Sequence, residues 1–70
     1  MAKARGLRER LFGAAVLKMS FRLRGDEGSP AFQGIYPGVL RDLELEDEAV
    51  ERYIEENRAA VESAARGSPP

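Results

Sequence analysis

Seventy residues without a cysteine or a histidine leave room for one small domain and remove disulfides, the usual zinc ligand sets, and cysteine or imidazole catalysis. Hydrophobic residues make up 43% and charged residues 33% of the chain, a balance that suits folding over disorder, although three Phe, two Tyr and no Trp supply only a lean core. The net charge of −1 conceals a split: residues 1–24 carry seven cations against Glu9 alone, and residues 25–70 carry four Arg against eleven acids, so complementary surfaces are expected to meet within the chain or between chains.

Residues 1–16 read as a basic arm or short helix, rich in Arg, Leu and Ala, with Gly6 and Gly13 each weakening a helix by about 1 kcal/mol. Leu7 and Leu11 share one helical face, and Phe12, Val16, Met19 and Leu23 extend a second stripe. The longest apolar run, residues 11–17, is closed by Lys18 and falls far short of the roughly 20 residues of a spanning helix. No small-x-small cleavage site follows it, so neither a signal peptide nor a transmembrane segment is expected. A cytoplasmic location agrees with the lack of cysteine.

Residues 17–24 alternate without error between apolar Leu17, Met19, Phe21 and Leu23 and polar Lys18, Ser20, Arg22 and Arg24. Period two predicts a half-buried strand; the rival is a single basic amphipathic helix over 7–24, suited to a membrane surface. Residues 25–30 form a loop, residues 31–36 at most a brief strand, and Tyr36-Pro37-Gly38-Val39 has the composition of a type II turn.

From about Leu45 to Arg66 there is no Pro or Gly, and Val50, Ile54, Asn57, Val61 and Ala64 recur at helical spacing. The region 41–66 therefore reads as one long acidic amphipathic helix, with acids crowding its start, Gly67 placed to cap its end, and Glu48–Arg52 and Glu62–Arg66 spaced as i, i+4 pairs. Asn57, in the middle of the stripe, is of the kind that sets register between helices. Residues 67–70 are a tail.

The chemistry left to such a chain is narrow. Glu44, Glu48, Glu51 and Glu55 line one helix face, but paired carboxylates need an enclosed pocket to work as acid and base, and their order matches neither a calcium loop nor a di-iron site. The glycines form no phosphate-binding run, and the serines have no base to activate them. No catalytic, cofactor-binding or metal-ligating residue is expected, nor an enzyme.

One resemblance covers residues 17–66. Phe21-Arg22-Leu23, Asp26-Glu27-Gly28, Tyr36-Pro37-Gly38 and Asp47-Glu48-Ala49 follow one another as strand, acidic Gly turn, Pro-Gly and acid-opened helix do in HicB-like antitoxins, which the chain resembles in compressed form. Pro30 and Gly34 interrupt the second strand of that pattern, and the basic leader is extra. The resemblance implies a small protein that binds a toxin partner and oligomerises; it carries no catalytic residue.

The expectation is thus an α+β, helix-dominated mini-protein with one alternating strand (or a basic amphipathic helix) and a long C-terminal helix. Its expected function is a non-catalytic protein-interaction module, either an accessory subunit of a larger complex or an antitoxin-like partner, in a hetero-complex or homo-oligomer. Val50, Tyr53, Ile54, Asn57 and Val61, with Leu17, Met19, Phe21 and Leu23, are its expected contact residues. The alternative is electrostatic binding of nucleic acid or an anionic membrane by Lys3, Arg5, Arg8, Arg10, Lys18, Arg22 and Arg24.

Overall fold

The computed structural model describes residues 6–67, folded as four helices: α1 (Leu7–Arg24), α2 (Pro30–Leu43), α3 (Asp47–Glu56) and α4 (Arg58–Ala65). The architecture is all-α, and among the described residues there is no strand. The expected α+β class is therefore corrected. Residues 17–24 are the second half of α1, and the strand order implied by the antitoxin resemblance is absent.

Helix α1 packs against each of the other three, and its residues 14–22 are buried or half-buried. Ala14 and Ala15, both fully buried, let neighbouring backbones come close, and with Met19 they meet Val50, Ile54 and Val61 in the main core. On the adjoining side Phe21 and Leu17 pack on Phe32 and Tyr36 of α2. The alternation over 17–24 fails as a strand signal because Lys18 is buried and Arg22 half-buried. A helix embraced by three others has no single polar side, and its true 3.6-residue period is blurred.

Gly25 ends α1 in the left-handed region (φ 75°). Its N–H donates to the Arg22 carbonyl, and the Asp26 N–H donates to Phe21, the paired bonds of a glycine-terminated helix. Helix α2 then starts at Ser29, whose hydroxyl accepts from the Phe32 N–H at 3.2 Å, with Pro30 in the first turn.

The expected turn at 36–39 is absent, because α2 runs through Pro37. Proline in a helix interior costs about 3 kcal/mol, and packing on both sides of it outweighs that cost. Phe32 and Tyr36 stack at 4.7 Å before the proline, and Val39, Leu40 and Leu43 join the main core after it.

The expected single rod over 45–66 is two helices meeting at Asn57 (φ −129°, ψ 35°). The Asn57 side chain donates to the Tyr53 carbonyl at 3.1 Å, competing for helical hydrogen-bond positions as Asn does at helix ends. The break turns α4 back on α1, so that Val61 joins Val50 and Ile54 beneath Ala14 and Ala15.

Glu44 ends α2 in the left-handed region at φ 58°, the one described non-glycine residue there, with its N–H bonded to Arg41 and that of Leu45 bonded to Leu40. This is the same paired-bond ending that Gly25 provides for α1, made without glycine and at a cost of about 1 kcal/mol. Glu44→Gly should raise stability by about 0.5–1 kcal/mol, a rise in Tm of several degrees for a domain of this size; thermal unfolding followed by circular dichroism reads it.

Candidate protein-docking surface

Two features position the surface: a charge cluster around the buried Lys18 that fixes α3 on α1, and a ledge with exposed apolar side chains at the opposite end of the same pair.

The cluster centres on Lys18, whose side chain is only 7% exposed. Its ammonium lies 2.6 Å from Asp47 and 2.5 Å from Glu51 on successive turns of α3, and 5.1 Å from the centre of the Tyr36 ring. The Tyr36 hydroxyl donates to the same Asp47 oxygen at 2.6 Å, so one carboxylate ties α1, α2 and α3 together. One turn further on, Arg22 donates to both oxygens of Glu27 and to Glu51 at 2.7 Å. Among the described residues, no buried side-chain polar atom is left without a partner.

Each ionisation state follows from this geometry. Burial pushes the Lys18 ammonium towards neutrality, but the hydrogen bonds and charges of Asp47 and Glu51 outweigh it and hold its pKa above the usual lysine value. Lys18 is thus an ammonium without a lone pair at neutral pH. The hydrogen bond from Lys18 lowers Asp47, helped by Tyr36, and lowers Glu51, helped by Arg22. Arg22 lowers Glu27 and is itself held protonated by Glu27. Burial first, then the bond to Asp47, raises the Tyr36 phenol.

The ledge lies where the first half of α1 crosses α3. Leu7 is 56% and Phe12 36% exposed, and the Phe12 ring meets Tyr53 edge-on at 6.4 Å. Tyr53 divides two open grooves. One, of about 600 Å³, is lined by Arg8, Glu9, Phe12, Tyr53 and Asn57; the other, of about 190 Å³, by Leu7, Leu11, Ala49, Arg52, Tyr53 and Glu56. Both mix apolar with charged or polar side chains around the shared Tyr53, as the centre and rim of an interface do.

The residues expected to make contact divide sharply. Val50, Ile54, Val61 and Met19 are core, covered by this chain's own helices, and Phe21 and Leu17 belong to the α1–α2 cluster. These six serve folding, because α1 supplies the cover that the sequence alone did not reveal. Leu23 is exposed near the end of α1. Only Tyr53 and Asn57 reach the ledge. Leu7, Leu11 and Phe12, its other apolar members, were read from sequence as helix stripe and not as contact surface; their signal is an apolar excess on α1 beyond what short partner helices can cover.

The expected anion-binding set is dispersed. Lys3 and Arg5 lie outside the described residues. Lys18 and Arg22 are in the cluster, Arg24 lies 3.7 Å from Asp26 and over the Phe21 ring, and Arg10 donates to the Leu43 carbonyl at 2.8 Å. Arg8 lines the larger groove at the ledge, and Arg22 a separate groove of about 440 Å³ beside Asp47 and Glu51. Among the described residues Glu48 and Arg52 form no ion pair, whereas Glu62 is shared by Arg58 and Arg66. Among these residues no three carboxylates converge as a metal-holding group, and no helix is long and apolar enough to cross a membrane. No family model matches the chain, and no curated protein or solved structure shows significant similarity to it.

The cluster fixes the sign of the pH dependence. Asp47, Glu51 and Glu27 have lowered folded pKa values. Their contribution is complete above the unfolded carboxylate values of about 4 and is lost as pH falls through the folded ones. Lys18 and Tyr36 have raised values, so theirs is complete below about pH 10 and lost as pH rises further. Urea unfolding should give a plateau of stability between about pH 5 and 9 with a fall on each side. In Lys18→Met the acid limb should be shallower, because the carboxylates have lost the partner that lowers them; an identical acid limb would contradict the assignment.

Proposed function

We propose that this chain is a non-catalytic protein-interaction module, a small accessory subunit of a larger complex, which docks another protein through the ledge of Leu7, Leu11, Phe12 and Tyr53. The observation that carries the reading is that the exposed Leu7 and Phe12 each line a groove with Tyr53, Phe12 meeting its ring edge-on. In a chain with five aromatic residues in all, Phe12 leaves about a third of its surface, 36%, open to solvent beside Tyr53. Apolar residues grouped around an aromatic anchor and edged with charge are the usual basis of a docking site. An antitoxin-like partner would use the same ledge and differ only in what it binds.

The electrostatic alternative has less behind it. Lys18, Arg22 and Arg24 are matched with acids of the chain itself, and a cation already neutralised releases few counterions on meeting phosphate.

Leu7→Asp tests the reading with little effect on folding, since Leu7 is over half exposed and an acid is favourable in the first turn of a helix. Stability should change by less than about 0.5 kcal/mol. Loss of one buried leucine from the interface should weaken association at least about tenfold. The native mass of the protein isolated from its own source should therefore fall to that of the single chain in the variant. A complex unchanged by Leu7→Asp but dissolved by added salt would favour the electrostatic alternative.

A further inference from the structure

The two joints that flank α2 are built to stop a helix, and the joint between α3 and α4 is not. Gly25 and Glu44 end α1 and α2 in the left-handed region, each with paired backbone bonds. Asn57 alone separates α3 from α4; its φ is −129°, and its side chain caps no N–H of α4. Helices that stop at Glu56 and restart at Arg58 forgo the i, i+4 bonds that a continuous helix makes across such a joint. Residues 45–66 contain no Pro or Gly, and Val50, Ile54, Asn57, Val61 and Ala64 keep helical spacing straight through the bend. Rotating Asn57 by about 65° in φ and about 75° in ψ brings it to α-helical values. What holds the bend is the body of α4, whose Val61 shares the main core with Ala14 and Ala15 of α1.

We infer that α4 is an exchangeable arm: the chain has a second packing in which α3 and α4 are one helix and α4 lies on α1 of a second copy, which returns the exchange. Short joints between packed elements invite such swapping. The exchanged pair remakes the α4–α1 contacts between copies, so the same apolar surface is buried, and each chain gains the helical bonds across residue 57. A straightened single chain is unfavourable because it bares Val61, Ala14 and Ala15, all fully buried in the bent form; the surface that fits them is another copy of α4. The bent monomer is favoured in dilute solution, since α4 meets its own α1 at an effective concentration on the order of 1 mM. Exchange is independent of the ledge: the smaller groove, lined by Leu7, Leu11 and Tyr53 among others, has no member from α4 and stays open to a different protein.

Sedimentation equilibrium on the full chain reads the mass, and the dipolar distance between two spin labels reads the conformation. The chain has no cysteine of its own, so Glu48→Cys with Ala64→Cys, both at exposed positions, places the labels. Diluting labelled with unlabelled chain confines the distance to one molecule. Refolded from urea at about 1 mM, the wild type should contain a dimer in which positions 48 and 64 lie about 24 Å apart, as in one continuous helix; the monomer should show a shorter separation. Asn57→Ala favours helix at the joint and Asn57→Gly disfavours it, so the first should dimerise at a concentration at least about tenfold below the second. Circular dichroism checks that both stay helical. Leu7→Asp should leave the dimer and its distance unchanged.

Wild-type and Asn57→Ala chains that both stay monomeric at about 1 mM would overturn the inference. So would a dimer whose labels keep the monomer's separation, or equal dimerisation of Asn57→Ala and Asn57→Gly. A dimer lost in Leu7→Asp would place the contact on the ledge and end the exchange. If the exchange dimer forms while the natively isolated complex ignores Leu7→Asp, the exchange stands and the ledge reading fails.

Discussion

Lys18 is the residue on which the arrangement turns. An ammonium taken out of water costs several kcal/mol unless opposite charge and hydrogen bonds replace the solvent, and here Asp47 and Glu51, one helical turn apart on α3, do so. That requirement fixes the register of α3 on α1. With its first two turns over residue 18, α3 places Val50 and Ile54 in the core beside Ala15 and Met19. Because Asp47 also accepts from Tyr36, α2 is drawn to the same point.

From that anchor the two ends of the α1–α3 pair take different roles. Towards the end of α1, Arg22 closes the loop onto Glu27 and reaches Glu51, so much of the opposed charge in the two halves of the sequence is consumed inside the molecule. Towards its start Leu7 and Leu11 line one groove with Tyr53 and Phe12 lines the other, with Arg8, Glu9, Arg52 and Glu56 at the edges. Helices α2 and α4 pack on other sides of α1 and do not close this flank. The ledge follows from one helix serving three short neighbours, with the α3–α4 break at Asn57 at its margin.

Part of this was legible in the sequence, and the failures are physical ones. The opposed charges of the two halves announced complementary surfaces, and the stripe of Val50, Ile54 and Val61 announced a helical face; both are present. What patterning could not show is that α1 would cover that stripe, turning expected contact residues into core. The alternation of residues 17–24 misled because it takes polar side chains to face water, whereas Lys18 and Arg22 face acids 29 residues away. Pro37 misled because tertiary packing around Tyr36 and Leu40 overrides a local breaker. Asn57 hid a helix end because it falls at helical spacing in the apolar stripe, where a single weak helix former does not announce a break.

The most direct test of the anchor is a double-mutant cycle on stability, read by urea unfolding, between Lys18→Met and the paired change Asp47→Asn with Glu51→Gln. Neutralising the two acids while Lys18 remains should strand a buried ammonium; with Asp47 52% and Glu51 40% exposed, water relieves part of that cost, leaving about 2–3 kcal/mol. In the Lys18→Met background the same neutralisation should cost less than about 1 kcal/mol, a coupling well outside additivity. Equal costs in both backgrounds would contradict the account, because α3 would then be held on α1 by apolar packing alone.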